Sequence, residues 1–423
     1  MRRIDLKILW TVNTVSPKVA ASIGLRSTHA ISWVESMGER LKERHSLAIA
    51  APGACTRLRK QECEGITYYI LPRDCEKTDY WGQILAEFQP DIIHTYGTEK
   101  RHNVMLLEKY RDSVPIVISL QGIITAYEKY YYASIPLKDI LLNYTIGNFL
   151  LKNSIVRGRR NFRNQIPYEK RLLRSARYVE GRSDWDKAVS LDINPELKYY
   201  CCPRMIRKPF YGRSWKADAC ERHTILVHQA NYPIKGLHIM LEALAKVRRH
   251  YPDVKLYIAG ENNTVRDTLK KKLKKSDYQQ YIEKKISALG LWDSIEFTGM
   301  LNAEAMARKL ESVQVCVIPS AIENAPNALA EAMLVGTPCV ASYVGGNADM
   351  LNQGECGWLY RFDEPEVLAA RICDIFADPE TAAQKSAAAR RVAGERHDPD
   401  TLVHTIETVY TDICSRFRNQ ESD

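Results

Sequence analysis

Short apolar runs alternate with helix-like segments along most of the 423 residues, and the alternation breaks once and starts again. In the first half, strand-length runs occupy 7–12, 47–51, 67–71, 91–94 and 116–120, with segments such as 31–41 spaced like helices between them. Strands separated by helices pair in parallel, because the crossover returns the chain to the same edge of the sheet. A basic, proline-punctuated stretch at 202–210 interrupts this rhythm, and strand-like runs then resume at 224–228, 254–259, 295–298, 315–318 and 339–341. The helix opening at Lys235 and Gly236 carries Leu237, Met240, Leu241, Leu244 and Val247 at the spacing of one buried face. The expected fold is α/β, with two doubly wound, Rossmann-like parallel-sheet domains. The first spans 1–205, a linker 206–222, the second 223–400, and a closing helical segment 401–423 returns toward the first. Ligands of open parallel sheets bind beyond the strand C-termini, so two such domains facing a cleft would hold substrates between them.

Hydrophobic residues at 45% and charged residues at 26% are ordinary for a globular chain, which should therefore fold throughout. The net charge of +9 is unevenly spread: residues 1–215 carry 35 basic and 22 acidic side chains, whereas 216–423 carry 25 and 29. Segment 152–182 alone gathers ten Lys or Arg against Glu169 and Glu180, a pattern that suits an anionic partner. Its apolar lead-in, 140–151, places leucines and aromatics beside arginines, as at a membrane headgroup layer, although a helix docked on its own domain carries the same pattern. No recognised nucleic-acid module accompanies the basic cluster, so nucleic acid is not an expected partner. No stretch reaches the ~18 uncharged apolar residues of a membrane span. The apolar run 8–12 is too short for a signal peptide, so a cytoplasmic protein is expected, with peripheral contact at the inner face of the plasma membrane through 152–182. Eleven cysteines without a C-x-x-C pair indicate reduced thiols rather than a disulfide frame or zinc site.

The most informative local pattern lies at 317–338. The run 315–318 reads as a buried strand, Pro319 and Ser320 end it, Pro326 suits a first helical turn, and Gly336 with Pro338 stops the helix. Glu323 then falls in the loop and Glu331 two turns further along. Backbone N–H groups from Asn324 through Ala325, Pro326, Asn327 and Ala328 to Leu329 surround a helix start, proline lacking the donor, and the helix dipole there favours an anion. A diphosphate flanked by hydroxyl groups fits such a place, each carboxylate accepting charge-assisted hydrogen bonds.

Pro319, Ser320, Glu323, Asn324, Pro326, Glu331, Gly336, Thr337, Pro338, Val344, Gly345 and Gly346 together resemble the E-x(7)-E region of retaining glycosyltransferases with the GT-B fold, specifically glycosyltransferase family 4. The resemblance implies that Glu323 serves the donor sugar and Glu331 the ribose, while Lys235 and Gly236 grip the donor diphosphate, with Glu323 and Lys235 as the catalytic pair. Gly260, Glu261 and Gly299, at strand ends, would frame the nucleotide, and Gly24 would let an N-terminal loop approach the phosphates. His94, Glu99, Gln121 and Gly122, at strand ends of the first domain, would face the acceptor. Two positions depart from the family: Ala230 stands where an Arg usually completes the phosphate clamp, with Arg204 or Arg207 as candidate substitutes, and Gln121 stands where His is usual. Asp184 with Asp186, and Asp398 with Asp400, form D-x-D pairs that are set aside as metal motifs; Ser183 and Asp186 read instead as a helix start.

The implied activity is transfer of a sugar from a nucleotide diphospho-sugar to a hydroxyl of a glycan or lipid-linked acceptor, with retention of configuration. Surface polysaccharide or glycolipid assembly is the implied setting, and neither cofactor nor metal is expected. A nucleotide-sugar epimerase and a non-catalytic nucleotide-sugar binder are the alternatives, since fold does not fix reaction.

Overall fold

The apolar runs become strands of two separate sheets in the computed structural model, which describes residues 5–24, 32–72, 78–228, 231–260 and 275–420. The first sheet contains β1 (Lys7–Thr11), β2 (Ser46–Pro52), β3 (Arg59–Cys63), β4 (Ile66–Leu71), β5 (Ile92–Tyr96), β6 (Ile116–Ser119), β7 (Tyr178–Gly181) and β8 (Lys198–Cys201). Their order among the described residues is β3-β4-β2-β1-β5-β6-β7-β8. Every neighbouring pair is parallel except β3 with β4. The strands absent from the sequence reading have little apolar signal. β3 is an edge strand of sequence RKQEC, and β7 and β8 are only four residues each.

The second sheet contains β9 (Glu221–His228), β10 (Lys255–Ala259), β11 (Ile295–Gly299), β12 (Val313–Ile318), β13 (Cys339–Ser342) and β14 (Trp358–Tyr360), in the all-parallel order β11-β10-β9-β12-β13-β14. The winding direction reverses between β9 and β12, so the two strands at the switch point lie side by side with both C-terminal ends at one edge. Every residue of β12 is buried, as its unbroken apolar run requires. The helix Leu237–Val247 buries Leu237, Met240, Leu241, Leu244 and Val247.

The chain divides into two compact units: Met1–Thr125 with Gln165–Met205 and His397–Asp423, and Ala126–Asn164 with Ile206–Arg396. Residues 126–164, which the sequence reading assigned to the first domain, thus belong to the second unit. Polar hooks hold them there: the Ile155 backbone N–H donates to both Asp277 carboxylate oxygens at 2.9 Å, and the Asn148 amide to the Lys275 carbonyl at 2.6 Å. Such contacts leave no periodic signal in the sequence.

The last helix, Pro399–Gln420, belongs to the first unit, where Leu402, Val403, Ile406 and Ile413 join the core that contains Ile8 and Trp10. Trp10 Nε1 donates to the Tyr410 hydroxyl at 2.9 Å, tying this helix to the central strand β1. Asp186 and Ser183 form a reciprocal cap on the helix Asp184–Ile193, and Asp398 accepts from the Thr401 N–H at 2.8 Å, so both D-x-D pairs start helices. The ten described cysteines are free thiols. Among the described residues, no helix is long and apolar enough to cross a membrane.

Candidate functional site

Two loops leave the switch point of the second sheet. After β9, residues 229–230, and with them Ala230, lie outside the described residues. The chain then makes a short 3₁₀ turn, Pro233–Lys235, closed by Gly236 at φ +70°. After β12, the chain passes Pro319, Ser320 and Glu323 before entering the helix Asn327–Val335, with Pro326 immediately ahead of its first turn.

The loops touch backbone to backbone. The Ala321 N–H donates to the Ile234 carbonyl at 2.7 Å, and a Cβ on Gly236 would lie 1.6 Å from the Pro319 carbonyl oxygen. Gly345, at φ +51°, does the same for the other side of this loop: a Cβ there would lie 1.6 Å from the Glu323 carbonyl oxygen, which accepts from the Gly346 N–H at 3.2 Å. Both glycines are therefore required by space as well as by conformation. They fix the backbone that carries Glu323.

Lys235 Nζ donates to Glu323 Oε1 at 2.5 Å, and Ser320 Oγ donates to the same oxygen at 2.8 Å. Burial alone would lower the Lys235 pKa, but the Glu323 carboxylate and the Tyr232 hydroxyl outweigh it and raise the pKa. Lys235 is thus a fixed cation at the strand ends. Among the described residues no side-chain hydrogen bond caps the adjacent helix Asn327–Val335, and a helix N-terminus favours an anion. Asn324 is buried, and the side chains of Ala325 and Leu329 lie in the core, so these last two offer a ligand only their backbone groups. Asn327 and Ala328 are half-buried in the first turn.

Glu331 sits deeper in the helix, where the Arg207 guanidinium donates to its Oε1 from Nη2 at 2.6 Å and from Nε at 3.1 Å. Burial pushes this carboxyl up to about 6, against the opposing pull of Arg207. His228, at the end of β9, is driven down to about 4 by burial, then by the charges of Arg207 and Lys235, so it is neutral at pH 7. Its Nε2 has no hydrogen-bond partner among the described residues. His228 thus feels the charges of both Arg207 and Lys235. Gly260 and Gly299 meet at the ends of β10 and β11, with the Gly260 N–H donating to the Gly299 carbonyl at 3.0 Å, whereas Glu261 lies outside the described residues.

In the first unit, the candidate residues separate. Glu99, following β5, accepts from Asn13 Nδ2 at 2.8 Å, and Gln121 and Gly122 follow the adjacent β6, so these stand at one edge of the sheet. Arg182 Nη2 donates to the Gln121 carbonyl at 2.5 Å. Gly24 is exposed at φ +71° after the helix Pro17–Ser22. His94 differs: it is inside β5 and 1% exposed, with Nδ1 2.7 Å from the Tyr410 hydroxyl and Nε2 3.4 Å from Glu180. Position within a strand, rather than after it, turned this side chain into the core.

Two participants, Ser320 and His228, had no assigned role in the sequence reading, and Arg207 had one only as a candidate substitute for the missing clamp arginine. Ser320 stands three residues before Glu323, and that spacing in a Pro-Ser turn is the signal that could have marked it. His228 ends a buried strand, which is a visible cue. The partnership of Arg207 with Glu331 spans 124 positions and leaves no local trace.

Residues 215–392 match the model of the family described as glycosyl transferases group 1. Across nearly the full chain, the architecture of two parallel-sheet α/β units is that of GT-B glycosyltransferase structures. Sucrose-phosphate synthase from Thermosynechococcus elongatus superposes with a TM-score of 0.71 at 16% identity, covering 97% of this chain and 99% of that one. HepE of Anabaena, solved in complex with UDP-glucose, gives 0.64 at 16% identity, with 96% and 100% covered. By sequence, the phosphatidyl-myo-inositol mannosyltransferase of Mycobacterium tuberculosis is 28% identical over 186 residues, 43% of this chain and 45% of that protein. The matches span about half the length of the curated relatives, from 39% to 54%.

Proposed function

We propose that the protein transfers a sugar from a nucleotide diphospho-sugar to an acceptor hydroxyl with retention of anomeric configuration. The observation that carries this reading is the Lys235–Glu323 pair at 2.5 Å, set at the topological switch point beside an uncapped helix N-terminus in the group 1 region. Lys235, Gly236 and the backbone of 324–329 take the diphosphate, Glu323 the sugar hydroxyls, and Glu331 the ribose. Gly260, Glu261 and Gly299 frame the nucleotide. Arg207, anchored by Glu331, is the guanidinium available in place of the one that Ala230 lacks. HepE bound to UDP-glucose supports a nucleotide-sugar donor.

The acceptor oxygen attacks the anomeric carbon from the face that the diphosphate leaves. The bond from that carbon to the phosphate oxygen breaks with its electron pair on the phosphate, which takes the acceptor proton. Lys235 and the helix N-terminus, rather than a metal, stabilise the charge that develops. Glu99, Gln121 and Gly122 serve the acceptor. The acceptor is a glycan or lipid-linked hydroxyl in surface polysaccharide or glycolipid assembly at the inner face of the membrane; the relative named phosphatidyl-myo-inositol mannosyltransferase supports the lipid-linked form alone.

The test begins with a thermal-shift screen of nucleotide sugars, because a bound donor raises apparent stability by mass action. Glu323→Gln is then expected to abolish nucleoside diphosphate release while leaving donor binding within a few-fold. Unchanged turnover would overturn the assignment. Donor incubated alone separates an epimerase, which yields an epimerised sugar, from a transferase. Donor binding with no release under any acceptor identifies a non-catalytic binder.

A further inference from the structure

Segment 126–164 carries an inverted surface. In its helix Ile146–Leu151 the buried side chain is Asn148, 1% exposed, which donates to the Lys275 carbonyl at 2.6 Å and accepts from Thr145 Oγ1 at 2.7 Å. Ile146, Phe149 and Leu150 point outward at 81%, 68% and 70% exposure. The preceding helix, Leu137–Leu142, packs on the helix Asp277–Ala288 and buries only Ile140, leaving Leu137, Leu141 and Leu142 exposed. A helix that faces water has its polar side out; here the polar side is fixed inward by hydrogen bonds and the apolar side presented. Of the thirteen large apolar side chains exposed among the described residues, ten lie between Tyr130 and Val156. A concentration of this kind marks an interaction surface rather than scattered exposure.

Charge selects the occupant. Segment 126–164 holds seven basic and two acidic residues. One acid, Glu128, is buried and accepts from Arg159 at 2.9 Å and Arg163 at 2.8 Å. Lys138, Lys152, Arg157 and Arg160 are exposed, and none of them has an ion pair among the described residues. A second copy of the same face would bring these cations together. An anionic lipid surface answers both features, with apolar side chains entering the headgroup boundary and cations meeting lipid phosphates.

We propose that residues 137–151 with their basic rim dock the second unit onto an anionic membrane. The apolar helices penetrate and the flanking cations hold the headgroups, a division that moves the contact from the basic helix itself to the segment before it. The inference deepens the lipid-linked acceptor proposed above and rests on that reading only for its purpose. Its test reads lipid binding alone, so failure of docking and failure of sugar transfer are separate results.

The full chain is sedimented with phosphatidylcholine vesicles with and without phosphatidylglycerol. It is expected to pellet with the anionic vesicles and to bind the neutral ones far more weakly. Phe149→Ser with Leu150→Ser should weaken binding at least about a hundredfold, since each buried CH₂ contributes about fourfold. Arg157→Gln with Arg160→Gln should weaken it about thirtyfold, at about fivefold for each basic residue. All four side chains are exposed, so the melting temperature should not move, and the charge variant serves as the independent measure if the apolar variant fails to fold. Three results would overturn the proposal: no binding to anionic vesicles, binding that neither variant weakens, or a dimer in sedimentation velocity that the apolar variant dissociates.

Discussion

Both units place ionisable side chains near the centre of a parallel sheet, at different depths. In the first unit, His94, Glu180 and Arg204 are all buried with Tyr410, Trp10 and Ser119; Arg204 donates to Ser119 Oγ at 3.1 Å and stacks 5.2 Å from the Tyr96 ring centroid. Burial lowers the His94 pKa, and burial would raise that of Glu180, but His94 and Arg204 outweigh it and lower it. In the second unit, Lys235 and Glu323 stand past the strand ends, on loops that two glycines allow to meet. The first arrangement consumes its charges in holding strands and the C-terminal helix together. The second presents charges beside a helix N-terminus that no side chain caps among the described residues. Depth relative to the strand end, more than residue type, separates a structural polar cluster from a binding site.

The sharpest way to break this comparison is to remove one carboxylate from the first unit. Glu180→Ala removes the buried carboxylate beside His94 and should cost about 3–5 kcal/mol of stability, read by denaturant unfolding, with donor affinity unchanged in the folded fraction. Loss of donor binding without loss of stability would place Glu180 with the site instead. Next in size, Lys235→Ala should lower kcat about 10²–10³-fold with little change in melting temperature, the usual effect of deleting one group that stabilises a leaving oxyanion. A melting temperature that collapses with kcat would show that the second unit also uses its pair structurally.

Gly345→Ala has a smaller and mixed effect. Its Cβ meets the Glu323 carbonyl, so about 1–3 kcal/mol of stability and a measurable part of turnover should be lost together. The smallest effect is a pH profile. The Glu331 carboxyl at about 6 lies above its usual 4.5, so its stabilising contribution is full below pH 4.5 and lost as pH rises through 6, by about 2 kcal/mol. Donor affinity should move the opposite way, rising over the same window as the carboxylate forms to accept the ribose hydroxyls. Glu331→Gln should flatten both curves, and a donor-affinity curve that stays sloped would remove Glu331 from the ribose role.

Much of the second unit is legible in its sequence because its determinants are local. The burial of Leu237, Met240 and Leu241 follows from helical spacing, and β12 follows from an uninterrupted apolar run. The stop at Gly336, at φ +83°, follows from the absence of a Cβ. The close approach of Lys235 to Glu323 is less direct, resting on motif resemblance, since 88 positions separate them. In the first unit, the strand at β5 was legible but the direction of His94 was not, because a single residue's displacement along a strand moves a side chain from loop to core. β3 was hidden by its charged composition, and the allegiance of 126–164 by hooks such as Asp277 to Ile155.

The sequence by itself determined two parallel-sheet units, the strand-to-helix turn that carries Glu323 and Glu331, and an uneven charge with a basic cluster near the middle of the chain. These depend on periodicity, glycine and proline, whose physical effects act within a few residues. Tertiary structure alone decided that Arg207 answers Glu331, that His94 is core, and that Asn148 turns inward while Phe149 and Leu150 face solvent. Each of those depends on partners distant in sequence, and a side chain's direction is fixed only when its partners on other elements have arrived.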